Sequence, residues 1–99
     1  LLSITTKIEQ DYYQIKLNGE VDIYTVDRLK DAIDDKMKQN PKNIVFDFGD
    51  LGYIDSTGIG ALIGIKGKYK DTDIKIINLR SNIKRLFEIT GIIKIFSVE

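Results

Sequence analysis

The spacing of apolar residues changes along this chain, and the order of the changes constrains its fold more than any other feature. Tyr13, Ile15 and Leu17 alternate with Gln14, Lys16 and Asn18, the period-two pattern of a strand with one buried face. From Thr25 to about Gln39 the interval lengthens. Val26, Leu29, Ile33 and Met37 fall three, four and four residues apart, one stripe of a helix. Asp27 near its start and Lys36 and Lys38 near its end suit the helix dipole, and Asn40-Pro41 stops it. Ile44 to Phe48 is then a nearly continuous apolar run, as expected for a strand covered on both faces.

The remaining segments extend this alternation. Ser3 to Glu9 reads as a strand, joined to the next through Gln10-Asp11, and Gly19 breaks the second strand's pattern before Glu20-Val21-Asp22. Gly49 to Asp55 reads as a loop, and a second helix runs from Ser56 or Thr57 to about Lys70. Ile74 to Leu79 reads as a strand. Ser81 can cap a third helix that buries Ile83, Leu86 and Phe87 and ends at Gly91. Ile92 to Phe96 completes the set as a last strand. The order is β-β-α-β-α-β-α-β. It predicts right-handed crossovers and a mixed, mainly parallel sheet covered by helices, an α/β fold. With 99 residues, residues 1–99 are expected to form a single domain with one core.

Composition narrows the function. Fifteen Lys and Arg balance fifteen Asp and Glu, so no basic surplus points to nucleic acid or an anionic membrane. No stretch approaches the roughly 20 apolar residues of a membrane span, and the first residues lack the pattern of a secretory signal. A soluble cytoplasmic protein is the expectation. The chain has no Cys and no His, which removes thiolate nucleophiles, zinc-thiolate sites, imidazole bases and the Ser-His-Asp triad. Neither enzyme chemistry nor a cofactor is expected.

Function is therefore sought in Ile54-Asp55-Ser56-Thr57-Gly58-Ile59-Gly60. The segment follows a buried strand and places hydroxyls at a helix N-terminus, where unpaired backbone N–H groups favour anions. Three catalytic templates fail on it. A nucleophile elbow would need glycine at Ile54 and a histidine base. The dinucleotide fingerprint fits Gly58 and Gly60 but meets Ile63 where its third glycine belongs. A phosphate loop aligned on Gly67-Lys68 finds Leu62 and Tyr69 in place of its glycine and hydroxyl. Ser56 can simply cap the helix. Gly60, Gly64 and Gly67 share one helical stripe opposite Ile59, Leu62, Ile65 and Tyr69. That bare stripe either packs closely against a neighbour or stays open to a partner. Asp22 and Asp55 would flank Ser56 if both strands end at the same sheet edge, as turn caps or as an acid pair able to hold Mg²⁺.

Three segments together resemble the STAS family, specifically the bacterial anti-sigma-factor antagonists. Asp55-Ser56-Thr57-Gly58-Ile59-Gly60, with Gly64 beyond it, is similar to the family's Asp-Ser-Ser/Thr-Gly-Leu/Ile-Gly signature. Gly19-Glu20-Val21-Asp22 is close to its Gly-Glu-Leu-Asp, and Lys84-Arg85-Leu86-Phe87 precedes Thr90-Gly91. The resemblance implies a binding module switched by phosphorylation of Ser56. The kinase is the partner itself, an anti-sigma factor that is an ATP-dependent serine protein kinase. The unmodified antagonist binds it and frees a sigma factor; phosphorylation releases it, and a PP2C-type phosphatase restores binding. The implied partner-binding residues are Asp22, Asp55, Ser56, Thr57, Gly58, Gly60 and Gly64, with no catalytic or metal-ligating residue. A nonenzymatic scaffold subunit, as in stressosomes, and a weak nucleotide-binding protein are the alternatives.

Overall fold

Five strands and three helices follow one another in a computed structural model that describes residues 1–99. They are β1 (Leu2–Ile8), β2 (Tyr13–Val21), α1 (Val26–Met37), β3 (Asn43–Ile54), α2 (Ser56–Lys68), β4 (Asp73–Ile77), α3 (Ser81–Thr90) and β5 (Ser97–Val98). The strands form one sheet in the order β1-β2-β3-β4-β5. β1 pairs with β2 antiparallel through a turn in which the Glu9 N–H donates to the Tyr12 carbonyl at 2.9 Å. Every later pair is parallel.

Each helix connects a strand to its next neighbour, always in the same direction across the sheet. Crossovers of a single hand then place all three helices on one face. The core agrees. Ile15, Leu17, Ile44, Phe46, Phe48, Ile74 and Ile76 join Leu29 and Ile33 of α1, Ile59 and Leu62 of α2, and Ile83 and Phe87 of α3 in one cluster. Phe48 meets Phe46 and Phe87 edge to face, with ring centroids 6.0 and 6.4 Å away, a favoured aromatic geometry. The other face carries Lys16, Val45, Asp47 and Lys75, half-buried or exposed. The expectation of a third strand covered on both faces is thus corrected. Its run looked continuous because Val45 is apolar, yet no helix lies over it.

Two further boundaries move. Residues 49–54 are strand rather than loop. Phe48, Leu51 and Ile54 are buried three residues apart, because the β2–β3 ladder shifts register between Lys16 and Asn18 and again between Gly19 and Glu20. Such bulges break period-two patterning. Gly19 continues β2 instead of ending it, at φ +119° with the Leu1 carbonyl 2.1 Å from where a Cβ would stand, a conformation and a space that only glycine fits. At the other end, Ile92–Lys94 is a 3₁₀ turn and the last strand is only Ser97–Val98. Gly91 closes α3 in the left-handed region at φ +79°, as its position suggested. The chain then turns, burying Ile92 and Phe96 four residues apart, a helical rather than an extended interval.

Candidate functional site

β3 pairs with β4 only as far as Asp47, opposite Ile77, whereas its pairing with β2 runs on to Val21 opposite Ile54. The two strands project as a ribbon from the carboxyl edge of the sheet, and the candidate site sits at its tip. The Asp55 N–H donates to the Val21 carbonyl at 3.2 Å, so Asp22 and Asp55 are the next residues of neighbouring strands. The shared edge required for them to flank Ser56 is present.

Each acid has a structural task there. Asp55 is the N-cap of α2; its carboxylate accepts from the Gly58 N–H at 3.0 Å and its carbonyl from the Ile59 N–H at 3.0 Å. The cap is therefore Asp55 and not Ser56. Ser56 and Thr57 open the helix with both side chains exposed, beside first-turn N–H groups that no carbonyl of the helix can satisfy. Asp22 organises the β2–α1 loop. Its carboxylate accepts from the Tyr24 and Thr25 N–H groups at 2.9 and 3.1 Å, and its carbonyl from Val26 at 2.9 Å. Thr25, the one buried polar residue of the chain, donates its hydroxyl to the Glu20 carbonyl at 2.9 Å and accepts from the Asp22 N–H at 3.0 Å. Asp-x-x-Thr before an apolar stripe is the sequence signal of such a turn, and it marks Thr25 as a residue that builds the site. Ser81 is likewise displaced as a cap: Arg80 holds that position of α3, and no side chain closes it.

The glycines of α2 divide. A Cβ on Gly58 would lie 2.6 Å from Val21 Cγ1 and 2.7 Å from Ile54 Cγ1, whereas one on Gly60, Gly64 or Gly67 would meet nothing within 4 Å. Close packing of the bare stripe is excluded. Gly60 and Gly64 floor a groove between α1 and α2 bordered by Lys30, Asp34, Thr57 and Lys68. At one end of it Asp34 accepts from the Tyr69 hydroxyl and pairs with Lys68 at 3.3 Å. The Tyr69 hydrogen bond first, and then Lys68, hold the Asp34 carboxyl below its ordinary range. Asp34 in turn raises the Lys68 ammonium and the Tyr69 phenol.

Residues 3–99 match the family model of the STAS domain. The anti-sigma-B factor antagonist of Staphylococcus aureus (strain NCTC 8325 / PS 47) is 33% identical over 93 residues, 92% of this chain and 86% of that protein. The chain belongs to the STAS family. The corresponding antagonist of Staphylococcus epidermidis is 32% identical over the same extent. Among solved structures, an anti-sigma factor antagonist from Mycobacterium paratuberculosis has a TM-score of 0.91 at 21% identity, covering 99% of this STAS domain and 85% of that chain. The antagonist SpoIIAA gives 0.74 at 18% identity in its unphosphorylated form, covering 98% of this domain and 87% of that chain. Its phosphorylated form from Bacillus gives 0.73 at 19% identity, covering 98% and 91%. These likenesses concern the fold. Within this STAS domain, Asp22, Asp55, Ser56, Thr57 and Gly58 gather at the ribbon tip, while Gly60 and Gly64 lie in the groove that Thr57 joins to it. No helix is long and apolar enough to cross a membrane.

Proposed function

We propose that this chain is an anti-sigma-factor antagonist switched at Ser56. Unmodified, it binds an anti-sigma factor that is also an ATP-dependent serine kinase and so frees a sigma factor in the cytoplasm. Phosphorylation of Ser56 ends the association, and a PP2C-type phosphatase restores it. The antagonist names of its relatives support the role. The observation that carries the switch is the division of labour at the start of α2: Asp55 caps the helix, leaving the Ser56 hydroxyl exposed. Phosphoryl transfer requires an acceptor oxygen that can align with the γ-phosphate, and a hydroxyl spent on the cap would have to break that bond first. The partner brings nucleotide, Mg²⁺ and general base. On this reading the chain is substrate and binding module, not an enzyme.

The same geometry explains why modification would release the partner without unfolding the domain. The new phosphate carries about −1.5 to −2 charges, which the first-turn N–H groups of α2 accommodate. In the complex, with water excluded, it lies beside this chain's own Asp55 and Asp22 and faces the phosphates of the partner's nucleotide. The Mg²⁺ and basic groups there are already engaged by the nucleotide, so the added charge finds no free counter-charge and costs about 2–5 kcal/mol, or roughly thirty- to several-thousand-fold in affinity. The test is incubation with labelled ATP and each anti-sigma serine kinase of the source organism. Label on Ser56 of the wild type and none on Ser56→Ala is the expected result; label confined to Thr57, or none with any kinase, contradicts it.

A further inference from the structure

Ile23 and Tyr24, adjacent in the β2–α1 loop, leave 65% and 91% of their surfaces exposed. A lone exposed apolar residue means little; three observations set this pair apart. Their loop is pinned, since the Tyr24 N–H itself donates to Asp22 and the buried Thr25 ties the next residue back to Glu20. The side chains are therefore displayed from an ordered backbone, which reduces the entropy lost on docking. The loop also adjoins Ser56, because Val21 and Ile54 are register partners and the two strands end together. Finally, segments 17–27 and 49–59, which form this tip, contain Glu20, Asp22, Asp27, Asp50 and Asp55 but no Lys or Arg. Asp22, Asp27 and Asp55 have no ion-pair partner.

Glu20 and Asp50 are held by the N-terminal ammonium and Lys16, but an apolar knob with the unpaired carboxylates of Asp22, Asp27 and Asp55 nearby in the same tip segments fits an apolar pocket at the border of a cationic site. The nucleotide site of a serine kinase is cationic, with Mg²⁺ and basic groups around the γ-phosphate, and the phosphorylation reading already brings such a site to Ser56. We infer that Ile23 and Tyr24 are the apolar anchors by which this chain seats itself on its kinase partner, with Asp22 as the residue that positions them. The inference rests on the proposed function and adds to it the residues that hold the complex together. Tyr24 has the chemistry of an interface hot spot, a large rigid ring with a polar tip.

Titration calorimetry against each purified anti-sigma serine kinase of the source organism tests this, with steady-state phosphorylation of Ser56 as a second readout. Tyr24→Ser is expected to weaken binding about thirtyfold or more and to raise KM in the phosphorylation assay, with Ile23→Ser acting in the same direction. Tyr24→Phe keeps most of the affinity. Ile89→Ser, which removes a 73% exposed side chain from α3, serves as the control and leaves binding unchanged. The three side chains replaced are exposed, so melting temperatures of all four variants should match the wild type. A wild type that binds a kinase and is phosphorylated on Ser56, with Tyr24→Ser and Ile23→Ser binding equally well, overturns the inference alone. A wild type that binds none of the kinases overturns the inference together with the function on which it rests.

Discussion

Gly58 and Gly60 stand two residues apart in one helix and within one motif, yet their surroundings are opposite. Gly58 faces Val21 and Ile54 so closely that a methyl group has no room, and Gly60, with Gly64 and Gly67 beyond it, faces open space. Glycine at 58 lets α2 approach the ribbon of β2 and β3, which keeps Asp55 and Ser56 beside Asp22. Packing gives no reason for the other three, each of which costs the helix about 1 kcal/mol relative to alanine. The proposed function assigns that bare face to the partner. The lesson is that a motif does not assign one role to its glycines. The inner one builds the site, and the outer ones keep a surface bare.

The largest effect expected from this contrast is that of Gly58→Ala. The atoms it would strike are the Cγ1 groups of Val21 and Ile54, β-branched side chains with little rotamer freedom. Overpacking should therefore exceed the gain in helix propensity, for a net loss of about 1–3 kcal/mol. Chemical denaturation measures it, and an unchanged midpoint would mean that the helix can back away from the ribbon. Asp55→Ala, also at the packed end, should lose about 1 kcal/mol with the cap. Asp22→Ala should lose a similar amount, since its carboxylate serves two N–H groups. On the open face the sign reverses. Gly64→Ala should stabilise by about 0.5–1 kcal/mol, and Gly64→Leu should weaken partner binding without lowering the melting temperature. Destabilisation by Gly64→Ala would erase the distinction between the two faces.

The smallest effect belongs to the clasp at the end of the groove. The Asp34 carboxyl titrates below its ordinary range in the folded chain, through its Tyr69 hydrogen bond first and Lys68 second. A carboxylate so shifted stabilises the fold above its unfolded pKa of about 3.9, and the contribution is lost as pH falls through the lowered folded value. Asp34→Asn should therefore melt slightly below the wild type at pH 7, with the gap closing below about pH 4. The gap stays small because the pair is solvent-exposed. A gap that widens in acid would reverse the assignment.

Much of the fold was legible because the periods were clean. Val26, Leu29, Ile33 and Met37 are all buried, as their spacing requires, and α3 ends at the glycine that marks it. The misplaced boundaries of β3 and β5 share a physical source in backbone irregularity. Bulges placed Leu51 and Ile54 on the core side of a strand at an interval that no strand template contains, and residues 92–96 gave apolar positions compatible with either period. At the site, Ser56 and the two acids could be found from the motif, and their common edge followed from the parallel pairing. Which side chain caps α2 could not, since Asp55 and Ser56 are both good caps and only φ, ψ and the Gly58 N–H distinguish them. Nor could the exposure of Ile23 and Tyr24, which depends on how the Asp22 and Thr25 bonds order the loop.

The most direct test of the account is calorimetric titration of the cognate anti-sigma kinase with unmodified and Ser56-phosphorylated protein, alongside thermal melts of both. The account predicts coincident melting curves and a loss of affinity of roughly thirtyfold or more on phosphorylation, with Ser56→Ala binding like the unmodified protein and resisting the switch. Equal affinities for the two forms would contradict it, even with phosphate shown to be on Ser56.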